Sequence, residues 1–196
     1  EGRITDPDSP RGRLLQHAAH LFRTKGYERT TVRELGAAAG IQSGSIFHHF
    51  ASKNEILRTV MTEAIVLNFT RMREALASAP NDPRQQLLLL IRCELQAINR
   101  NTGEAMAVLF HEWESLSEEG KAAILELRDA YEALWLDVLQ KLYDERALST
   151  SPAIARHFLT GALTWTVHWF RPSGPMTLDE LAEEAMHLLL RHDGAR

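Results

Sequence analysis

Signals for the start and end of helices recur along the whole chain and restrict its fold more than any other feature. A Ser before a Pro supplies an N-cap and a first helical residue that needs no backbone N–H, and Thr or Ser followed three residues later by Glu forms a capping box. These two patterns begin five predicted helices, at Ser9-Pro10, Thr31 to Glu34, Ser52 to Glu55, Ser151-Pro152 and Thr177 to Glu180. Gly26 and Gly40 end the first two helices, because glycine accepts the backbone conformation that follows a helix.

The apolar residues between these signals recur at helical spacing, and no strand-like alternation is present. We therefore predict an all-α fold of about nine helices, in which the first three form a small module and the fourth links it to the rest. The predicted helices run from Pro10 to Gly26, from the Thr31 cap to Gly40, and over about 43–49, 52–79, 84–100, 102–115, 118–147, 153–170 and 178–191.

Charge is distributed unevenly along the 196 residues, whose net charge is −4. Residues 9–60 carry eight Lys and Arg against three acidic residues, a net charge of +5, whereas residues 61–196 carry 13 against 20, a net charge of −7. An asymmetry of this kind indicates that one part of a chain binds a polyanion such as DNA.

Composition excludes several other classes of protein. The chain is 44% apolar and 24% charged, as is ordinary for a globular protein. Its apolar stretches are far shorter than the roughly 20 residues that span a bilayer, and no secretory leader pattern opens it. Cys93 is the single cysteine, which excludes a disulfide within the chain and fits a reducing compartment. We therefore expect a cytoplasmic protein without membrane contact.

Residues 31–50, TVRELGAAAGIQSGSIFHHF, have the layout of a helix-turn-helix, whose second helix enters the major groove. Gly36 lets the second helix approach closely, and Ile46 fills the angle between the two helices. The first helix is expected to bury one face, formed by Val32, Leu35, Ala38 and Ala39. The second helix presents small and polar side chains that suit base edges and phosphates, namely Gln42, Ser43, Ser45, His48 and His49.

The segment GIQSGSIFHHFASK at residues 40–53 follows FRTKGY at residues 22–27 and TTV at residues 30–32. These motifs resemble the DNA-binding domain of the TetR family of repressors over about residues 10–60, and the helix count, the helix lengths and the break after the fourth helix are also similar to that family. The resemblance implies a homodimer, a palindromic operator and a C-terminal pocket whose ligand releases the DNA. It divides the chain into a flexible N-terminal arm (1–8), a helix-turn-helix DNA-binding domain (9–52) and a ligand-binding and dimerisation domain (53–196).

Position by position, the resemblance implies that Thr31 and Lys53 bind phosphates, while the serines and histidines of the second helix face bases or the DNA backbone. Each of the first two also has a purely structural interpretation, as a helix cap and as a solvated charge. The candidate DNA-binding residues are Thr31, Gln42, Ser43, Gly44, Ser45, Phe47, His48, His49 and Lys53.

Two of these positions depart from the family pattern. The family usually has Tyr where Phe47 stands and often a basic residue where Ser43 stands. One phosphate hydrogen bond is therefore absent, and one charge contact is in doubt. Phe47 and Phe50 are expected in the hydrophobic core.

The second domain is rich in aromatic residues at helical spacing, which either pack its core or line a ligand pocket between helices. Two stretches, FHEWESLS at residues 110–117 and WTVHWFRPSG at residues 165–174, resemble the acyl-coenzyme A-responsive subgroup of the family. A hydrophobic effector, with an acyl-coenzyme A thioester as the specific candidate, is therefore expected between helices four and eight, although a neutral hydrophobic ligand suits the aromatics equally well. Candidate ligand-binding residues are Phe69, Met72, Arg92, Met106, Phe110, Trp113, Tyr131, Trp135, Trp165, Trp169 and Arg171.

The last two helices carry apolar stripes that would form a four-helix interface in a dimer. Part of each stripe is also expected to serve the core of its own chain. The candidate interface residues are Phe158, Leu159, Ala162, Leu163, Leu181, Ala185 and Leu188.

A helical-bundle enzyme is the alternative from another class. A carboxylate-bridged di-metal bundle needs two Glu-x-x-His motifs, and only Glu184 to His187 is present. No Gly-rich phosphate loop or nucleophile elbow occurs. We therefore expect no catalytic residues, no metal and no cofactor. A DNA-binding activator, or a regulator without a small ligand, remains compatible with the sequence.

Overall fold

The computed structural model describes residues 4–101 and 103–191, which form nine α-helices and confirm the predicted all-α fold. These helices are α1 (Pro10–Lys25), α2 (Val32–Ala39), α3 (Ser43–Ile46), α4 (Lys53–Ala77), α5 (Pro83–Gln96), α6 (Gly103–His111), α7 (Glu118–Asp144), α8 (Pro152–Trp165) and α9 (Leu178–Leu189). Within the described ranges no strand is present, and a single bridge joins Leu148 to Leu190.

Three predicted helices are longer than the observed α-helices because turns of another helical type follow them. A π-helical turn, Ala97–Asn101, continues α5, and 3₁₀ turns at Trp113–Ser115 and Thr166–His168 follow α6 and α8. Apolar periodicity alone does not separate these turns from an α-helix. Thr102, where the sixth predicted helix begins, lies outside the described residues.

Most of the predicted helix caps are present. Thr31 and Thr177 each form a complete capping box with the Glu three residues later. The box at Ser52 is different, because the Ser52 hydroxyl accepts from the Glu55 N–H at 3.1 Å while the Glu55 carboxylate accepts from Ala51 instead of Ser52. Gly26 and Gly40 follow their helices with φ of 90° and 70°, a region that favours glycine.

The described residues divide into two compact units. The first comprises the described parts of residues 1–67 and 102–128, with α1 to α3, α6 and the first parts of α4 and α7. Its core includes Leu14, Phe22, Leu35, Ile46, Phe50, Leu57 and Met61.

The second unit comprises the described parts of residues 68–101 and 129–196, with α5, α8, α9 and the remainders of α4 and α7. Its core includes Met72, Leu87, Leu90, Trp135, Leu139 and Leu142. Both α4 and α7 thus contribute residues to each unit.

The predicted termini are described only in part. Residues 1–3 of the predicted arm and residues 192–196 of the predicted C-terminal domain lie outside the described residues. In the remainder of the arm, the Thr5 hydroxyl donates to Glu63 at 2.6 Å. Among the described helices, none combines the length and the apolar character that crossing a bilayer requires.

Candidate functional site

The close approach of α2 and α3 is made possible by Gly36. A Cβ at this position would lie 2.9 Å from the carbonyl oxygen of Ile41 and 3.3 Å from the Cα of Ser43. Since real Cβ atoms almost never come within 3.0 Å of backbone, a larger residue would push α3 away. The small residue thus fixes the angle of the helix-turn-helix, as its sequence predicts.

The end of α3 is held by the core and by an arginine that sequence analysis did not single out. Ile46 and Phe50 are buried. The Arg11 guanidinium donates to the carbonyl oxygen of His49 at 2.5 Å and lies 3.9 Å from the centre of the Phe50 ring. Arg11 therefore ties α1 to the segment after α3.

The polar residues predicted to face DNA are accessible on this segment. Gln42, Gly44, His48 and His49 are exposed, and Ser43 and Ser45 are half-buried.

Two burial predictions for this motif are wrong. Phe47 is 57% exposed and not in the core, because α3 ends at Ile46 and the helical period does not continue to this ring. Ala38 is also exposed. The exposed Phe47 ring now belongs with the polar residues on the accessible face of α3.

Thr31 is fully engaged by its own helix. Its hydroxyl accepts from the Glu34 N–H at 3.2 Å and donates to the Glu34 carboxylate at 2.8 Å. The Lys25 ammonium also binds this carboxylate. The Lys25 ammonium and the Thr31 donors lower the pKa of Glu34 to about 2. Thr31 is exposed at the start of α2, where backbone N–H groups also point outward.

Lys53 has structural partners in the first unit. Its ammonium donates to the carbonyl oxygens of Tyr27 and Thr30 at 2.9 and 3.0 Å, and it lies 4.0 Å from the centre of the Tyr27 ring. Two of its three N–H donors are thereby used, which leaves one for a phosphate. Sequence analysis did not predict these contacts, because they join residues more than 20 positions apart.

The eleven candidate ligand-binding residues fall in both units. The first unit holds buried Met106, half-buried Trp113 and Phe110, which is just exposed. In the second unit, the interior or half-buried residues are Phe69, Met72, Arg92, Tyr131 and Trp135, and the exposed residues are Trp165, Trp169 and Arg171.

Three of the exposed or charged candidates have a different setting from the one expected. Trp165 and Trp169 are 63% and 50% exposed, and Trp165 stacks on His168 with ring centres 4.2 Å apart. The two indoles are not one α-helical turn apart, because α8 ends at Trp165. Arg92 pairs with Asp179 and Glu183 of α9, each at 3.1 Å.

The second unit encloses a polar cluster, which we define as Asn68, Glu94, Tyr131, Glu132 and Arg156. The Tyr131 hydroxyl donates to the Glu94 carboxylate and accepts from the Asn68 amide at 2.9 Å. The Arg156 guanidinium donates to both Glu132 oxygens, at 2.7 and 2.8 Å.

Burial controls the charges of this polar cluster. It raises the pKa of the Glu94 carboxyl, although the Arg156 charge acts in the opposite direction. Arg156 also lies 4.3 Å from the centre of the Trp135 ring. Of the cluster, sequence analysis singled out only Tyr131. The available signal was a charged residue among buried apolar neighbours, as at Glu94 between Leu90, Ile91 and Leu95.

The candidate interface stripes on α8 and α9 are divided between core and surface. Leu159, Leu163 and Leu181 are buried in their own chain, and Ala185 is half-buried. Phe158 and Leu188 are 71% and 86% exposed, and Ala162 is also exposed. Large exposed apolar side chains on two adjacent elements mark a surface suited to a protein partner.

The first unit also contains a cleft of about 510 Å³, which none of the candidate ligand-binding residues lines. It is lined by Ile4, Thr5, Asp6, Arg11, Arg58, Thr59, Thr62, Glu63, Ala123 and Leu127. Within residues 4–101 and 103–191, no three His, Cys, Asp or Glu side chains group closely enough to hold a metal ion.

Comparison with known proteins places both ends of the chain in one group of families. Residues 14–60 match bacterial regulatory proteins of the tetR family, and residues 80–192 match a tetracyclin repressor-like C-terminal domain. A curated relative, the HTH-type transcriptional repressor KstR2 of Mycobacterium tuberculosis, is 30% identical over 187 residues, covering 93% of this chain and 92% of KstR2.

Two solved structures share the fold along nearly the whole chain. The crystal structure of superantigen pfit is 55% identical, with a TM-score of 0.84, and covers 97% of this chain and 94% of its own. The TetR family transcriptional regulator PfmR from Thermus thermophilus is 29% identical, with a TM-score of 0.81, and covers 93% of this chain and 100% of its own.

Proposed function

Because the chain belongs to the TetR family of bacterial transcriptional regulators, and is therefore a DNA-binding regulator and not an enzyme, we propose that it acts as a repressor. In this proposal, a homodimer binds a palindromic operator through α2 and α3. A hydrophobic small molecule, carried as an acyl-coenzyme A thioester, releases the DNA.

The geometry of α2 and α3 is the observation that carries the proposal. Gly36 lets the helices approach closely, and Ile46 anchors the short helix. Its other face then presents polar side chains that can read base edges in the major groove, above all His48. The proposed DNA-binding set is unchanged from the sequence, with Lys53 placed at a phosphate through its remaining N–H.

Dimerisation follows from how little DNA one short helix can read. Two recognition helices about 34 Å apart, or near a multiple of this distance, would enter successive major grooves. The exposed apolar stripe on α8 and α9, defined by Phe158, Ala162 and Leu188, supplies a surface for the second copy. Trp165 and Trp169 continue the exposed apolar surface past the end of α8, which favours a role for them in the dimer.

The proposed effector site lies in the second unit, where α4, α5, α7 and α8 surround buried aromatic and apolar side chains. Met72 on α4 and Trp135 on α7 are fully buried there. A ligand must bind the free protein more tightly than the DNA-bound form to cause release, by about 1–3 kcal/mol.

A mobility-shift experiment tests the effector. Operator complexes are challenged with a series of acyl-coenzyme A thioesters, the corresponding free acids and neutral hydrophobic compounds. We expect release by the thioesters alone. Release only by the neutral compounds would reject the thioester, and complexes that resist every compound would reject effector control by these classes.

A further inference from the structure

Buried polar atoms without hydrogen-bond partners are concentrated in one place in the described chain. Five such side-chain atoms occur among the described residues. Four of them are Asn68 Oδ1, Trp135 Nε1, Arg156 Nη1 and Thr164 Oγ1. The fifth, Arg92 Nε, lies 3.1 Å from Asp179 Oδ1 and has an ionic partner. Buried polar groups are nearly always satisfied, so four exceptions together require an explanation.

These four atoms come from the three helices that contribute most of the polar cluster. Asn68 belongs to α4, Trp135 to α7, and Arg156 and Thr164 to α8. Asn68, Trp135 and Arg156 are each at most 4% exposed. Leaving such a group unsatisfied costs about 1–3 kcal/mol, which is a large fraction of the stability of a small domain. A ligand that satisfies these groups would recover that free energy on binding.

The types of the unsatisfied atoms define the ligand group that fits them. Trp135 N–H and Arg156 N–H can only donate, Thr164 O–H can donate or accept, and the Asn68 oxygen can only accept. Donors thus predominate, which calls for an acceptor on the ligand. A carbonyl oxygen has two lone pairs and accepts two such N–H groups.

The surrounding charges favour an uncharged acceptor. The Arg156 charge is already balanced by Glu132 through two hydrogen bonds. The Glu94 carboxyl lies on the other side of the Tyr131 hydroxyl, so an anion entering the cluster would face two carboxyl groups. A carboxylate or phosphate is therefore disfavoured relative to a ketone or ester oxygen.

We propose that the buried part of the effector carries a neutral carbonyl oxygen, which accepts hydrogen bonds from Trp135 Nε1 and from the Arg156 guanidinium. This inference rests on the proposed function, because it uses the same effector site in the second unit. It adds that anionic groups of the effector stay outside the polar cluster. It also assigns to Asn68 and Thr164 the hydrogen bonds to any hydroxyl beside that carbonyl.

Three matched probes test this inference on the full chain: 1-indanone labelled with ¹³C at its carbonyl, indane, and 1-indanecarboxylate. Affinity is measured by titration, and the carbonyl resonance reports hydrogen bonding directly. We expect indanone to bind about five- to tenfold more tightly than either other probe, since one or two hydrogen bonds separate them. Its carbonyl resonance should move downfield on binding.

Trp135→Phe removes the indole N–H but keeps a buried aromatic ring, and Thr164→Val removes a hydroxyl at nearly constant shape. Trp135→Phe should weaken indanone about five- to tenfold, leave indane unchanged and reduce the downfield shift. Tyr143→Phe, which removes an exposed hydroxyl from the same helix, is the matched control and should behave as wild type. Thr164→Val should keep the affinity for indanone within about twofold, because Thr164 is assigned to a neighbouring hydroxyl that indanone lacks.

Several results would overturn the inference. These are equal affinity for indanone and indane, tighter binding of the carboxylate, a shift that ignores Trp135→Phe, or no binding of any probe, as expected if buried water alone satisfies these atoms. Operator binding without a probe is measured on the same samples. Its absence would reject the proposed function, whereas a failure confined to the probes would reject only the neutral carbonyl.

Discussion

At the scale of single residues, side chains of the DNA-binding module combine a structural role with a proposed DNA contact. Thr31 caps α2 and also stands exposed at its N-terminus. Lys53 holds the carbonyls of Tyr27 and Thr30 and keeps one N–H donor. Variants at these positions therefore have to be tested for stability as well as for DNA binding.

Lys53→Ala and His48→Ala should have different consequences. Lys53→Ala should lower the Tm and weaken binding to every duplex, since it removes both the carbonyl contacts and a contact to charge that all DNA carries. His48→Ala should leave the Tm unchanged and alter the preferred sequence, because His48 is exposed on the groove-facing side. Binding-site selection and thermal unfolding on both variants measure this. A shifted consensus with Lys53→Ala and an unchanged one with His48→Ala would reverse the assignment.

Glu34 should make the folded protein sensitive to acid. Its pKa is about 2 in the folded protein against an ordinary 4.5, so its contribution to stability is complete above about pH 4.5 and is lost as the pH falls towards 2. Glu34→Gln should therefore be less stable than wild type at pH 6, and the difference should shrink through this window. Thermal unfolding between pH 2 and 6 measures it, and parallel curves would contradict the assignment.

Local residue roles were predictable from the sequence where the cause is local. The Thr31 cap and the left-handed Gly40 depend on neighbours within four positions, and both were predicted. The exposure of Phe47 was not, because a helix of four residues is too short for its period to orient a ring that follows it. The contacts of Lys53 and Arg156 depend on tertiary approach, which no local pattern encodes.

At the scale of elements, buried charge distinguishes α5 and α8 from ordinary amphipathic helices. Glu94 and Arg156 lie on their buried faces. The helix positions themselves were predicted well, since caps and prolines mark them. The burial of these two charges was not, because a charged residue in a helix is usually solvated.

Glu94→Gln tests the burial of this carboxyl on α5. Because its pKa is raised in the folded protein, wild type loses stability as the pH rises from about 4.5 towards the folded pKa, by at most about 1.4 kcal/mol for each pH unit. The glutamine variant cannot ionise, so it should lack this loss and should gain on wild type as the pH increases. Chemical denaturation of both proteins between pH 4 and 8 measures the difference, and a constant difference would contradict a buried, neutral carboxyl.

At the scale of the whole molecule, the exposed apolar stripe on α8 and α9 is the feature that a single chain leaves unexplained. Phe158→Asp should convert the proposed dimer into a monomer, because it would place a charge in a buried interface. Tyr143→Asp, on the exposed face of α7, is the matched control and should remain dimeric. Sedimentation at micromolar concentration distinguishes them, and a dimeric Phe158→Asp would place the interface elsewhere.

The central claim is that two copies of this helix-turn-helix read one palindromic duplex, and selection from a pool of random duplexes tests it most directly. The account predicts that the wild-type protein enriches an inverted repeat, whose half-sites lie about 34 Å apart or near a multiple of this distance. Affinity for the enriched duplex should fall steeply with salt, as phosphate contacts require. Enrichment of a single half-site, or no enrichment above the starting pool, would contradict the account.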